Sequence, residues 1–206
     1  MFIPTYTPVN LDEVISQMSY VHRRIFWLLT TPPKSKDEPH ARPSLRNAFI
    51  KCVSQAPAYL YLVPECIPSA ICHFKPPRWR YGYNITKEAA LEANLERGPE
   101  EERVPPLSYF QETCDESVDP VAERSRFAGA WLCRYVSSIL KERHDVAWRL
   151  VWENGESPRI FTFRDTWEFG VSLTNHEVAE ISHLIFGKYV EPMWYLDYRD
   201  CFWKAK

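Results

Sequence analysis

Apolar and polar positions along this 206-residue chain follow two periods, and the switches between them mark out its elements. From Asn10 to Leu29 ("NLDEVISQMSYVHRRIFWLL") apolar residues recur every three to four positions. At 100° per residue Leu11, Val14, Ile15, Met18, Val21, Ile25, Leu28 and Leu29 gather on one side, which predicts an amphipathic helix. Asn10 with Glu13 gives it a capping-box start. The Pro-rich, mixed-charge stretch 30–43 ends it. Ser44 then caps a shorter predicted helix over 45–53, and "AYLYLV" (58–63) and "SAICHF" (69–74) predict strands.

Strict alternation follows in "KPPRWRYGYN" (75–84), which predicts a strand with Trp79, Tyr81 and Tyr83 toward the core and Arg78 and Arg80 toward water. Thr86 caps a helix that Gly98-Pro99 stops. Residues 98–118, acidic and interrupted by proline, divide the chain into a basic part, 1–97, and a helix-hairpin-helix part, 119–206. Both parts are also compatible with one joint core. Asp119-Pro120 opens a long helix to about Arg143, with Val121, Ala128, Trp131, Leu132, Tyr135, Val136 and Ile139 as its buried stripe. Val146, Trp148, Leu150 and Trp152 alternate into Asn154-Gly155, a favoured two-residue turn, so 146–163 predicts a hairpin. Pro158 lacks a ladder donor, so the return strand is expected after it. "EFGVSL" (168–173) adds a candidate strand. Thr174 with Glu177 caps a helix that Gly187 ends, and the aromatic tail from 189 stays open between helix and strand. The expected fold is α+β: several amphipathic helices packed on a small, mostly antiparallel sheet that includes the 146–163 hairpin.

Composition sharpens this picture in three respects. Aromatics reach 15%, with eight Trp against three Met, so rigid rings fill the core or line a surface. Six cysteines (52, 66, 72, 114, 133, 201) form no Cys-x-x-Cys pair, and "MFIPTYTPVN" has neither a basic leader nor a long apolar run. Reduced thiols in the cytoplasm or nucleus, and no membrane partner, are the expectation. Net charge is −2, distributed unevenly. Residues 1–85 hold ten basic against five acidic side chains, and residues 86–119 three against ten. With the remainder balanced, the total gives no reason to expect a polyanion partner.

Four clusters carry candidate chemistry. In "HEVAEISH" the residues His176, Glu180 and His183 lie within about 60° of one another on a helix. Their side opposes the aliphatic one, and Glu180 stands where a metalloprotease helix needs histidine, so the polar face is expected to be solvated and no metal is assigned. His22 falls inside the aliphatic stripe of the first helix, while His144-Asp145 closes the long helix. Under an enzyme reading His22, His144 and Asp145 are the acid-base candidates. Tyr20 and Trp27 project from the polar side of the first helix, flanked by Arg23 and Arg24, and these residue types dominate binding hot spots. Arg78, Trp79 and Arg80 mix cations with a ring, as single-stranded RNA binders do.

Neither a phosphate-cradling Gly motif nor a nucleophile signature is present, and no cofactor is implied. The reading favoured by elimination is a binding or adaptor protein that offers Tyr20, Arg23, Arg24 and Trp27 to another protein. The alternative is a cofactor-independent lyase, isomerase or cyclase with a small apolar substrate in an aromatic pocket. A single-stranded RNA-binding factor comes third, since the charge balance disfavours nucleic acid.

Overall fold

A computed structural model describes residues 19–33, 46–58, 74–167 and 173–205. The Asn10/Glu13 cap, the body of the two strands expected over 58–74 and most of "EFGVSL" lie outside these ranges. In chain order the described elements are α1 (Tyr20–Thr30), α2 (Arg46–Val53), β1 (Phe74–Lys75), β2 (Trp79–Tyr83), α3 (Lys87–Arg97), a 3-10 turn (Glu100–Glu102), α4 (Leu107–Thr113), α5 (Pro120–Ile139), β3 (Ala147–Trp152), β4 (Arg159–Asp165), α6 (Asn175–Phe186), β5 (Met193–Asp197) and β6 (Lys204–Ala205). The fold is α+β, as the two periods predict.

Helix ends follow local chemistry. Thr86 Oγ1 accepts from the Ala89 amide and Asp119 Oδ1 from the Val121 amide, each satisfying a donor that has no intrahelical partner. Thr174 and Glu177 complete a reciprocal capping box on α6. Within the described residues α1 begins at Tyr20, with Ser19 Oγ accepting from the His22 amide.

The sheet is where the structure goes beyond the alternation pattern. Four antiparallel strands close on themselves in the order β2-β4-β3-β5, and β1 pairs separately with β6. Closure removes the unpaired edges that an open four-stranded sheet would expose. β3 and β4 meet at Asn154-Gly155, whose φ values of 51° and 91° are those of a tight mirror-image turn. Glu153 and Glu156 exchange both backbone hydrogen bonds across it, and β4 starts one residue after Pro158. The turn amides also donate outward, Asn154 to the Ala56 carbonyl at 3.0 Å and Gly155 to the Ser54 carbonyl at 2.9 Å, so the loop after α2 docks on the hairpin tip.

Register assigns side chains to the two faces of the barrel. Tyr83 opposes Phe161, Tyr81 opposes Trp194, and Trp148 opposes Phe161 on the outer face. Tyr83, Phe161 and Phe163 pack there with Ala90 of α3, Phe110 of α4, Trp131, Leu132 and Val136 of α5 and Ile181 of α6. On another flank Trp79 and Leu196 meet Ile25, Phe26 and Leu29 of α1 and Phe49 and Val53 of α2. β2 precedes the 98–118 segment and pairs with β4 and β5, which follow it. Residues on both sides of that segment therefore pack in one buried cluster.

Several expected positions are corrected. Val21 and Val121, assigned to buried stripes, are exposed, while Phe26 is buried. On β3 Leu150, one of the alternating apolar residues, is exposed, whereas Val151 on the other face is fully buried. A closed barrel covers both faces of a strand, so period-two alternation no longer separates wet from dry. The long helix stops at Ile139, because Lys141 and Glu142 adopt positive φ in the turn that leads to β3. The tail resolves as strand, supplying β5 and β6.

Candidate functional site

α1 has two sides with opposite fates. Ile25 and Leu29 are fully buried and Phe26 nearly so, against Trp79 and Leu196. Tyr20 is 79% exposed and Trp27 51%. Seven residues bring the helix almost to its starting angle, so the two rings share a direction about 10 Å apart along the axis. Arg23 and Arg24, both exposed, fall on either side of that line. All four residues singled out from the sequence thus meet on one solvated face. The Trp27 ring stands edge-on to Phe26, with centroids 5.9 Å apart, which ties the exposed indole to the buried cluster beneath.

The acid-base candidates sit on separate elements. His22 is half-buried in the first turn of α1. His144 is buried in the α5–β3 turn. The Asp145 carboxylate is engaged by Arg149 at 2.7 Å and by Arg80 at 3.4 Å. Burial pushes this carboxyl up, but the hydrogen bond and charge of Arg149, with Arg80 and Arg78 behind it, outweigh burial and hold it below the usual range.

The segment around Trp79 takes a different place from the one expected. Trp79 is only 1% exposed and Arg80 4%, so neither is offered to bases or phosphates at the surface. Arg80 was expected to face water; it lies on the inner face of the barrel. Its Nε donates to Asp197 Oδ2 at 2.7 Å, and its terminal nitrogen reaches Asp165 Oδ2 at 3.1 Å. Arg78 also donates to Asp165, whose side chain is fully buried, and lies 3.9 Å from Asp145 and from Asp200.

Both central carboxylates have a second duty. Asp165 Oδ1 accepts from the Trp167 amide at 2.6 Å, and Asp197 Oδ1 accepts from the amides of Arg199 and Asp200 at 2.8 and 2.9 Å. Each therefore ends its strand with a side-chain-closed turn while its other oxygen faces a guanidinium. Over the Trp167 ring lie Lys75 Nζ at 3.4 Å and the Arg78 guanidinium at 4.8 Å from the centroid. This network ties the ends of β2, β4 and β5 together.

A bulge explains how Asp165 enters it. Opposite Tyr81 and Gly82, β4 presents Arg164 and Thr162, so Phe163 is an extra residue. Phe161 and Phe163 both pack outward, and the reset register then turns Asp165 inward beside Arg80. Asp165, Asp197, Arg149 and Trp167 were not singled out from the sequence. The available signal was an aspartate closing each apolar strand, in "FRDTW" and "YLDYRD".

The "HEVAEISH" residues are solvated: His176, Glu180 and His183 are exposed, while Val178, Ile181, Leu184 and Ile185 are buried. Glu177 serves the α6 cap and pairs with Arg143. Burial pushes the half-buried Cys133 thiol up to about 11, which suits a structural rather than a reactive cysteine.

A second exposed aromatic face lies on α4 and α5. Tyr109 and Phe127 are both about half exposed and stand edge-on to the buried Phe110 between them, at 5.4 and 5.3 Å. Glu112, one turn after Tyr109, and Asp115 and Glu116 beyond it are exposed. Among the described residues no helix is long and apolar enough to cross a membrane. Comparison with protein-family models, with curated proteins and with solved structures returned no match.

Proposed function

We propose that this chain is a binding protein that engages another protein through the Tyr20, Arg23, Arg24 and Trp27 face of α1. The observation that supports this reading is the division of one short helix. Its aliphatic side is consumed by the core, while its two largest polar-side rings stand in water. Leaving a Trp and a Tyr half or more exposed forgoes burial worth roughly 1.5–3 kcal/mol per large side chain, an arrangement that gains its use when a partner covers them. Tyr and Trp order few rotatable bonds for the area they bury and Arg offers a planar fork of donors, and such anchors contribute about 2 kcal/mol or more each at hot spots.

The test replaces Trp27 and Arg24 with alanine in the full chain. Arg24 is exposed and Trp27 about half exposed, its ring against Phe26, so the double variant should stay folded with a loss of about 1–2 kcal/mol, or roughly 2–8 °C in melting temperature. A photocrosslinker at position 20 should capture a partner in the parent chain, and the double variant should lose it. Equal capture by the double variant, with the fold intact, removes this face from consideration.

A further inference from the structure

Among the described residues, two exposed aromatic faces stand beside opposite charges, one basic and one acidic. On α1 the rings of Tyr20 and Trp27 are flanked by Arg23 and Arg24. On α4 and α5 the rings of Tyr109 and Phe127 adjoin the span 112–126, which holds five carboxylates and two guanidiniums. Glu112, Asp115 and Glu116 make no ion pair among the described residues. Among the described residues, α1 therefore exposes two guanidiniums and the 112–116 stretch three carboxylates, on separate elements.

The two faces lie over different buried clusters. α1 packs on Trp79 and Leu196, whereas α4 and α5 pack around Tyr83, Phe161 and Phe163. Each face is thus held by its own flank of the barrel, and bringing them together calls for two molecules.

We propose that the partner met by α1 is a second copy of this chain, which receives the Tyr20–Trp27 face on its Tyr109–Phe127 face. This rests on the binding role of α1 proposed above and assigns its occupant. Aromatic rings fill the centre of the contact, and the Arg23 and Arg24 guanidiniums meet the Glu112, Asp115 and Glu116 carboxylates at the rim. The contact joins two different surfaces, so each bound copy keeps one face of each kind free. Such a head-to-tail interface extends into a ring or an open chain rather than stopping at a pair.

Sedimentation velocity on the full chain tests this. At about 50 mM salt the mean mass should rise with protein concentration beyond that of a dimer. It should fall back as salt approaches about 1 M, where the screening length shrinks to about 3 Å. Arg23→Glu/Arg24→Glu and Glu112→Lys/Glu116→Lys should each be monomeric, with the dissociation constant raised about a hundredfold or more by like-charge opposition. A 1:1 mixture of these two variants should form complexes again, because the reversed charges complement one another across the mixed pair. Circular dichroism should be unchanged in both, since each alters two exposed positions and no core residue.

Three results overturn the inference: a parent chain that stays monomeric at low salt, variants that assemble like the parent, or a mixture that stays monomeric. If the parent is monomeric yet the position-20 crosslinker still captures a different protein, the second copy is excluded and the binding role of α1 stands. If neither assembly nor capture depends on α1, both fall.

Discussion

Replacing Arg80 with methionine tests the inner-face network directly. Methionine keeps most of the aliphatic stem and removes the guanidinium, so packing changes little and charge changes by one. Asp165 would retain Arg78 and the Trp167 amide. Asp197 would retain the amides of Arg199 and Asp200 but lose the guanidinium 2.7 Å from its Oδ2. Removing one partner of a buried ion pair costs about 3–5 kcal/mol. The contacts left to both carboxylates bring the expected loss to about 2–4 kcal/mol, or roughly 5–15 °C in melting temperature for a chain of this size.

Urea unfolding followed by the fluorescence of the eight tryptophans and by circular dichroism measures this loss. The decisive comparison adds Asp197→Asn. The amide keeps the Oδ1 acceptor of both backbone bonds and removes the stranded charge. In the Arg80→Met background this change should recover at least about 1 kcal/mol, whereas in the parent chain it should destabilise. A loss under about 0.5 kcal/mol for Arg80→Met, or strictly additive effects in the double variant, would refute the claim that these charges are held in a water-poor interior.

Two further outcomes follow from the same barrel. A Cβ at Gly82 would lie 2.0 Å from the Phe161 carbonyl oxygen, so Gly82→Ala must push β2 and β4 apart; a loss of at least about 3 kcal/mol in urea unfolding is expected, and a near-neutral result would contradict the close strand approach. The carboxyls of Asp145 and Glu177 are held low, against the upward push of burial, by Arg149 in one case and by the Thr174 cap and Arg143 in the other. Their contribution is present above the unfolded carboxyl values near about 4 and is lost as pH falls through the lower folded ones. Melting temperature should therefore drop below about pH 4, less steeply in Asp145→Asn, and an unchanged acid slope would take Asp145 out of the account.

The helices were readable because their causes are local. Thr86, Asp119 and Thr174 cap the helices they were expected to cap, and Asn154-Gly155 turns the hairpin, since each acts over two to four residues. What escaped reading is non-local. β2 and β5 are separated by about a hundred residues, and their pairing is what closes the barrel. Once it closes, Arg80 loses the water that alternation had promised it. The extra residue Phe163 then shifts the parity of β4, so Asp165 points inward where simple counting points it out. Of the candidate residues, the exposure of Tyr20, Arg23, Arg24 and Trp27 was legible from helical projection, although the same projection put the exposed Val21 on the aliphatic side. The Asp165–Arg80–Asp197 network was not, because its members come from three strands brought together by closure alone.

Closure also sets an order of events during synthesis. Among the four barrel strands β2 is made first and β5 last, and β5 is the one that bridges β2 and β3. A growing chain therefore carries β2 without its final neighbour until Asp197 has emerged, with the Arg80 guanidinium still hydrated. The helices can form early, but the interior can dry only in one late step, when the last strand seats. Resistance to proteases is therefore expected only once β5 has emerged and seated, at a rate set by long-range strand pairing.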